Sequence, residues 1–115
     1  MARKKVVVVD PEKMEWVDRV QQQQLSKGVW AKLLGLDEET GAMALLAKMD
    51  KGFHEAKHTH PSDAHELVLE GKLVDEKGNE IKKGMYRFVP AGVEHGTLDV
   101  PEGCVVFVYV NGPLE

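Results

Sequence analysis

The sequence predicts an all-β domain, a β-sandwich or small barrel. Two observations carry this. From Gly28 onward, apolar runs of strand length recur at short, fairly regular intervals. Between them stand turn signals that combine glycine with aspartate or glutamate, as in "DEETG" and "DEKGNE". A chain of 115 residues suits one domain with a real hydrophobic core, and no repeat or internal boundary divides it.

Taken in order, "KVVVV" (residues 5–9) predicts a strand, ended by Asp10 and Pro11. The polar, mixed "EKMEWVDRVQQQQLSKG" that follows suits a short helical turn or an extended arm. Its four glutamines are too few for a low-complexity tract. "VWAKLLGL" and "MALLAKM" read as two strands flanking the turn "DEETG". "HELVLEGKLVDEKGNEIKKG" contains a second turn at "DEKGNE". "MYRFVPAGVEHG" is punctuated by Pro-x-Gly, and "GCVVFVYV" closes the β region. The barrel is expected over about residues 28–110, with residues 1–27 as an N-terminal strand or arm.

Composition narrows the function classes. Hydrophobic content of 43% with 30% charged residues fits a soluble globular chain and not a disordered one. A net charge of −4 argues against nucleic acid or an anionic membrane as the main partner. "ARKK" is the only dense basic run and reads as a solvated terminus. The single cysteine, Cys104, allows neither an internal disulfide nor a zinc–thiolate cluster, and it fits a cytoplasmic location. Within "GCVVFVYV" it reads as a small buried hydrophobe. No apolar stretch is long enough to span a bilayer as a helix.

The chemistry points to histidine. Four of the five histidines fall between His54 and His65. His58 and His60 are separated by one residue, so on a strand their rings project from the same face. That spacing suits one metal ion, but an exposed surface pair would look the same. His54 shares their parity one strand step away, which suggests a peripheral place. Glu94 reads as an exposed acid, and Ser62 and Asp63 in "HPSD" as turn residues. Either Tyr86 or Arg87 could face a cavity.

Longer patterns change the balance. Gly52 to His60 gives G-x5-H-x-H, and Gly84, Pro90, Gly92 and His95 give G-x5-P-x-G-x2-H, with "LEG" between. Together these resemble the two signature motifs of the cupin superfamily. The usual trailing Asn of the second is Asp99 here. "MEW", "KLLGLDEETG", "HTHP", "LVLEG", "DEKG", "GMY" and "EGC" follow the order found in ChrR-like cupin domains, across roughly residues 14–110. The resemblance implies a double-stranded β-helix, the jelly-roll cupin barrel, as a single domain over residues 1–115. It makes His58, His60 and His95 metal ligands. ChrR-like proteins often carry a helical anti-sigma domain before the cupin. A chain of this length is expected to have no room for one, so sigma-factor regulation is not implied.

Cupins typically add a glutamate ligand, which in ChrR-like domains stands four residues after the second His. Ala64 occupies that place here. Three arrangements follow, in order of preference. The site runs on three histidines, as "AHELVLEG" suggests by its similarity to acetylacetone-cleaving dioxygenases. Alternatively Glu66 is the fourth ligand, since it shares parity with Ala64. Or a bulge turns His65 inward to the metal. An open three-histidine site suits Fe(II) or Zn(II), with Ni(II) and Mn(II) also compatible. The resemblance then implies a dioxygenase-like reaction on a β-diketone or hydroxy-ketone, with Glu66 as a catalytic proton acceptor. The alternatives are a non-catalytic metal or small-molecule sensor, or a metal-dependent isomerase or hydrolase. A small-molecule partner and a homodimer are expected, the latter through edge pairing of "VVVV".

Overall fold

A computed structural model describes residues 5–18 and 27–114. A short 3-10 turn, Pro11–Lys13, precedes nine strands. They are β1 (Val17–Asp18), β2 (Val29–Leu36), β3 (Met43–Met49), β4 (Phe53–Glu55), β5 (Ala64–Asp75), β6 (Glu80–Lys82), β7 (Tyr86–Val89), β8 (Leu98–Val100) and β9 (Cys104–Val110). Each run read as a strand from Gly28 onward is one, and the intervening acid–glycine segments are turns.

The strands pair antiparallel in two walls. One runs β1-β2-β3-β9-β5-β7 and the other β4-β8-β5-β6. The 12-residue β5 serves both. Its start pairs with β7 and β9, and its end, from Lys72 to Asp75, pairs with β6 and β8. The strand bends between these parts. Its register against β9 shifts between Val68 and Glu70, and Gly71 adopts φ +72°. A Cβ on Gly71 would stand 2.0 Å from the carbonyl oxygen of Gly103, so no other residue fits this crossing. The curled, closed arrangement is the jelly roll that the motifs implied.

Alternation places the core. Val68, Leu73, Leu98, Val100, Cys104 and Val106 form the main buried cluster, with Phe53 and Ile81 packed against it. Ala64, Val89 and Val110 form another on the inward side of β5, β7 and β9. Inward positions on β5 are therefore Ala64, Glu66 and Val68, while His65 and Leu67 face out.

Residues 5–9 differ from expectation. They form no strand, and Val6 and Val8 are 91% and 88% exposed. A β-branched run becomes a strand only when a neighbouring strand takes up its backbone groups, and among the described residues no strand pairs with it. The arm is tied down further on. Lys32 Nζ donates to the carbonyl of Pro11 at 2.7 Å. The Trp16 ring lies under two ammonium groups, Lys32 at 4.6 Å and Lys48 at 4.9 Å.

Candidate metal centre

Three loop segments meet at one place. His58 and His95 form a two-way backbone bridge, each N–H donating to the other's carbonyl at 2.9 Å. Gly92 N donates to the carbonyl of His60 at 2.8 Å. Asp63 closes the arrangement. Its carboxylate accepts from Ala91 N at 2.8 Å and from Asn111 Nδ2 at 3.1 Å. Ser62 Oγ donates to the carbonyl of Pro113 at 2.7 Å. Ser62 and Asp63 therefore do more than shape a turn. They fasten the His58–His60 segment to the loop carrying His95 and to the chain after β9.

The rings converge. The ligand nitrogens of His58, His60 and His95 all lie within 4.8 Å of one another. Each Nδ1 meets a backbone carbonyl: Ala56 for His58 at 2.8 Å, Leu114 for His60 at 3.2 Å and Val93 for His95 at 3.1 Å. A carbonyl can only accept, so each Nδ1 is the nitrogen placed to donate, and Nε2 is the one turned toward the other rings. The Nε2 atoms of His58 and His60 stand 3.1 Å apart. Two nitrogens on one metal ion at ordinary bond lengths stand about 2.9–3.4 Å apart, so the arrangement fits a divalent ion. Burial holds the His95 ring below its ordinary pKa, its hydrogen bond to Val93 opposes this, and the neighbouring His58, His60 and Arg87 charges add to it. Neutral His95 is the form a metal needs.

The acids around the group behave differently from one another. Glu66 is inward, but its Oε1 accepts from Arg87 Nε at 2.8 Å across the β5–β7 pairing, and both side chains are mostly buried. The cavity-facing residue of "MYRF" is thus Arg87, and Tyr86 points outward. Glu55 is an acid the sequence reading passed over. Its Oε1 stands 3.9 Å from His58 Nε2. Burial pushes its carboxyl up, His58 lowers it, Glu66 raises it and Arg87 lowers it. The structure shows why it faces the site: Phe53 packs into the core while His54 points out, so strand parity turns Glu55 inward.

Other candidates lie elsewhere. His65 is on the outer face, its Nδ1 2.6 Å from Tyr86 Oη and its ring 5.0 Å from that of Phe88. The bulge in β5 falls after Val68, not before His65, so it does not turn this ring inward. The three-histidine group contains none of His65, Glu66 and Glu55. His54 pairs with Asp99 at 2.7 Å on the surface. Cys104 is buried, and desolvation pushes its thiol up to about 11. That suits a packing residue and not a nucleophile.

The family model of the ChrR cupin-like domain matches residues 4–115. The chain belongs to the ChrR cupin-like family. No curated protein matches its sequence. A candidate acetylacetone dioxygenase from Methylibium petroleiphilum superposes with a TM-score of 0.81 at 19% identity, over 97% of this chain and 81% of that one. The acetylacetone dioxygenase of Acinetobacter johnsonii gives 0.75 at 19%, over 97% and 76%. The anti-sigma factor ChrR of Rhodobacter sphaeroides, solved with SigE, gives 0.67 at 23%, over 86% of this cupin chain and 50% of its own. At such identities the likeness shows the cupin fold. Among the described residues, no helix is long and apolar enough to cross a membrane.

Proposed function

We propose that this cupin is a metal-dependent, dioxygenase-like enzyme acting on a small substrate with two adjacent oxygen donors, a β-diketone or hydroxy-ketone. The observation that carries the reading is the convergence of the ring nitrogens of His58, His60 and His95. Three protein donors leave coordination positions for a chelating substrate, as catalytic sites do. The shared fold with acetylacetone dioxygenases supports the substrate class.

Fe(II) or Zn(II) is the preferred ion, and Ni(II) and Mn(II) suit the same donors. A bound divalent ion supplies Lewis acidity and a template for the substrate's oxygens. The chain does the rest. His58, His60 and His95 hold the ion through Nε2, their orientations set by the Ala56, Leu114 and Val93 carbonyls. Arg87 commits Nε to Glu66 and offers its terminal N–H groups to an enolate oxygen. Glu66, fixed by that bond, accepts the proton the substrate loses on enolising.

The test is anaerobic loading with Fe(II), then oxygen uptake with acetylacetone and related diketones. Uptake matched to substrate consumption is expected. Tight metal binding with no uptake on diketones or hydroxy-ketones would favour a sensor, or an isomerase or hydrolase. The homodimer reading draws on Val6–Val9, exposed and unpaired by any strand of the described chain. Sedimentation of the native protein against Val6→Lys/Val8→Lys tests it, with a shift to monomer expected.

A further inference from the structure

The family's usual carboxylate position holds Ala64, buried in the apolar cluster with Val89 and Val110. The three-histidine group would then give a divalent ion no protein anion. Yet an anion is present on the other side of the histidine pair. We infer that Glu55 supplies the carboxylate that position 64 lacks, binding the same cation as His58, His60 and His95.

Three observations support it. Glu55 Oε1 lies 3.9 Å from His58 Nε2, the ring nitrogen on the side away from the Ala56 carbonyl. Around an ion with bonds of about 2.0–2.1 Å, adjacent donors stand about 2.9 Å apart and opposite ones about 4.2 Å, so 3.9 Å from His58 lies within the span of one ion. Glu55 stands outside the three-histidine group, so binding the same ion requires its side chain to swing toward His60 and His95. Second, the carboxylate accepts no hydrogen bond from any described residue, although its side chain is only 26% exposed. A half-buried carboxylate without hydrogen bonds is costly unless a cation faces it. Third, three other acids among the described residues are engaged elsewhere. Glu66 is held by Arg87, Asp63 by Ala91 and Asn111, and Asp99 by His54.

Position explains how the carboxylate moved. β4 leads directly into the His58–His60 segment, and its inward parity passes from Phe53 to Glu55. A ligand from β4 approaches before the histidine pair in sequence, where the family's own follows it. Three imidazoles and one carboxylate leave two of six positions for a bidentate substrate. The inference rests on the reading that the histidines hold a divalent ion, and the experiment separates the two.

Apo protein is titrated with Co(II), following heat and the visible spectrum, for the native sequence, Glu55→Gln and His60→Ala. The native protein binds, and His60→Ala loses binding. Glu55→Gln is expected to bind more weakly by more than about 100-fold, the upper end of what loss of an orienting residue gives, and to shift the Co(II) bands. Its apo thermal midpoint is expected to hold or rise, because an unbonded carboxylate has been removed. In Glu55→Ala, added acetate should restore the native spectrum. Unchanged affinity in Glu55→Gln overturns the inference and leaves the three-histidine site standing. Weaker affinity with unchanged bands also overturns it, since the donor set would be intact. No binding by the native protein overturns both.

Discussion

Val68, Leu73, Leu98, Val100, Cys104 and Val106 fill one stretch of the barrel interior with packed apolar side chains, while Glu55, Glu66, Arg87 and three histidines crowd another. The first is held by strand alternation and by the close crossing at Gly71. The second is held by hydrogen bonds among loops, with Asp63 at the centre. Packing resists a change of shape anywhere along it. A hydrogen-bonded loop cluster can lose its geometry while the barrel stays folded. The polar groups inside would also destabilise a chain that had no use for them. The contrast therefore separates stability from function, and substitutions can be chosen to move one without the other.

The largest expected effect is on the apolar side. Gly71→Ala would put a Cβ 2.0 Å from the Gly103 carbonyl and 2.9 Å from Cys104 Cα, at a backbone φ of +72°. Neither obstacle is a flexible side chain. A loss of about 3 kcal/mol or more is expected in chemical denaturation of the apo protein. A loss under about 1 kcal/mol would mean that β5 and β9 can part there without harm to the fold, and the contrast would fail.

Asp63→Ala attacks the other side. It leaves the Ala91 N–H and the Asn111 amide without their acceptor. A smaller stability loss of about 1–2 kcal/mol is expected. The larger consequence falls on the site, because the loops of His60 and His95 lose their side-chain tie and keep only the backbone bonds from Gly92 to His60 and between His58 and His95. Metal affinity should fall about 10–100-fold, as when a residue supporting a ligand is removed. Calorimetric titration beside the denaturation curve checks both. Equal losses in the two measurements would show that the loops and the core melt as one unit.

Much of this contrast was legible in the sequence. The strands from Gly28 onward were, because period-two burial and acid–glycine turns are local features. The pairing of His58 and His60 with His95 was too, because glycine and proline spacing marks where the two loops turn. Glu55 was not. Its meeting with His58 depends on the inward parity of a three-residue strand, too short to reveal a period. His65 misled for the opposite reason. It lies in the histidine-rich stretch, yet one residue's step on β5 sends it to the outer face beside Phe88 while Glu66 goes in. "KVVVV" has the composition of a strand, but a strand also requires a neighbour, which composition does not report.

The smallest expected effect comes from outside both stretches and sets the baseline. Asp75 organises the exposed β5–β6 turn, its carboxylate accepting from Lys77 N and Asn79 N at 2.9 Å and from Asn79 Nδ2 at 3.2 Å. The Asn79 backbone bond is the main cause holding its carboxyl below the usual aspartate range, opposed by desolvation and aided by the Asn79 side chain, the Lys77 backbone bond and the Lys77 charge. A carboxyl lowered in the folded state binds fewer protons there than in the unfolded chain. Its stabilisation is therefore full above the ordinary aspartate value and is lost as pH falls through the lowered one. Asp75→Asn should shift the urea midpoint slightly downward near pH 7, and the gap from the native protein should narrow as pH is lowered toward about 3. Because solvent screens this turn, the shift should be well below that of Asp63→Ala, and metal affinity should not change. A gap that is constant with pH would mean that the turn depends on side-chain shape and not on the carboxylate's charge.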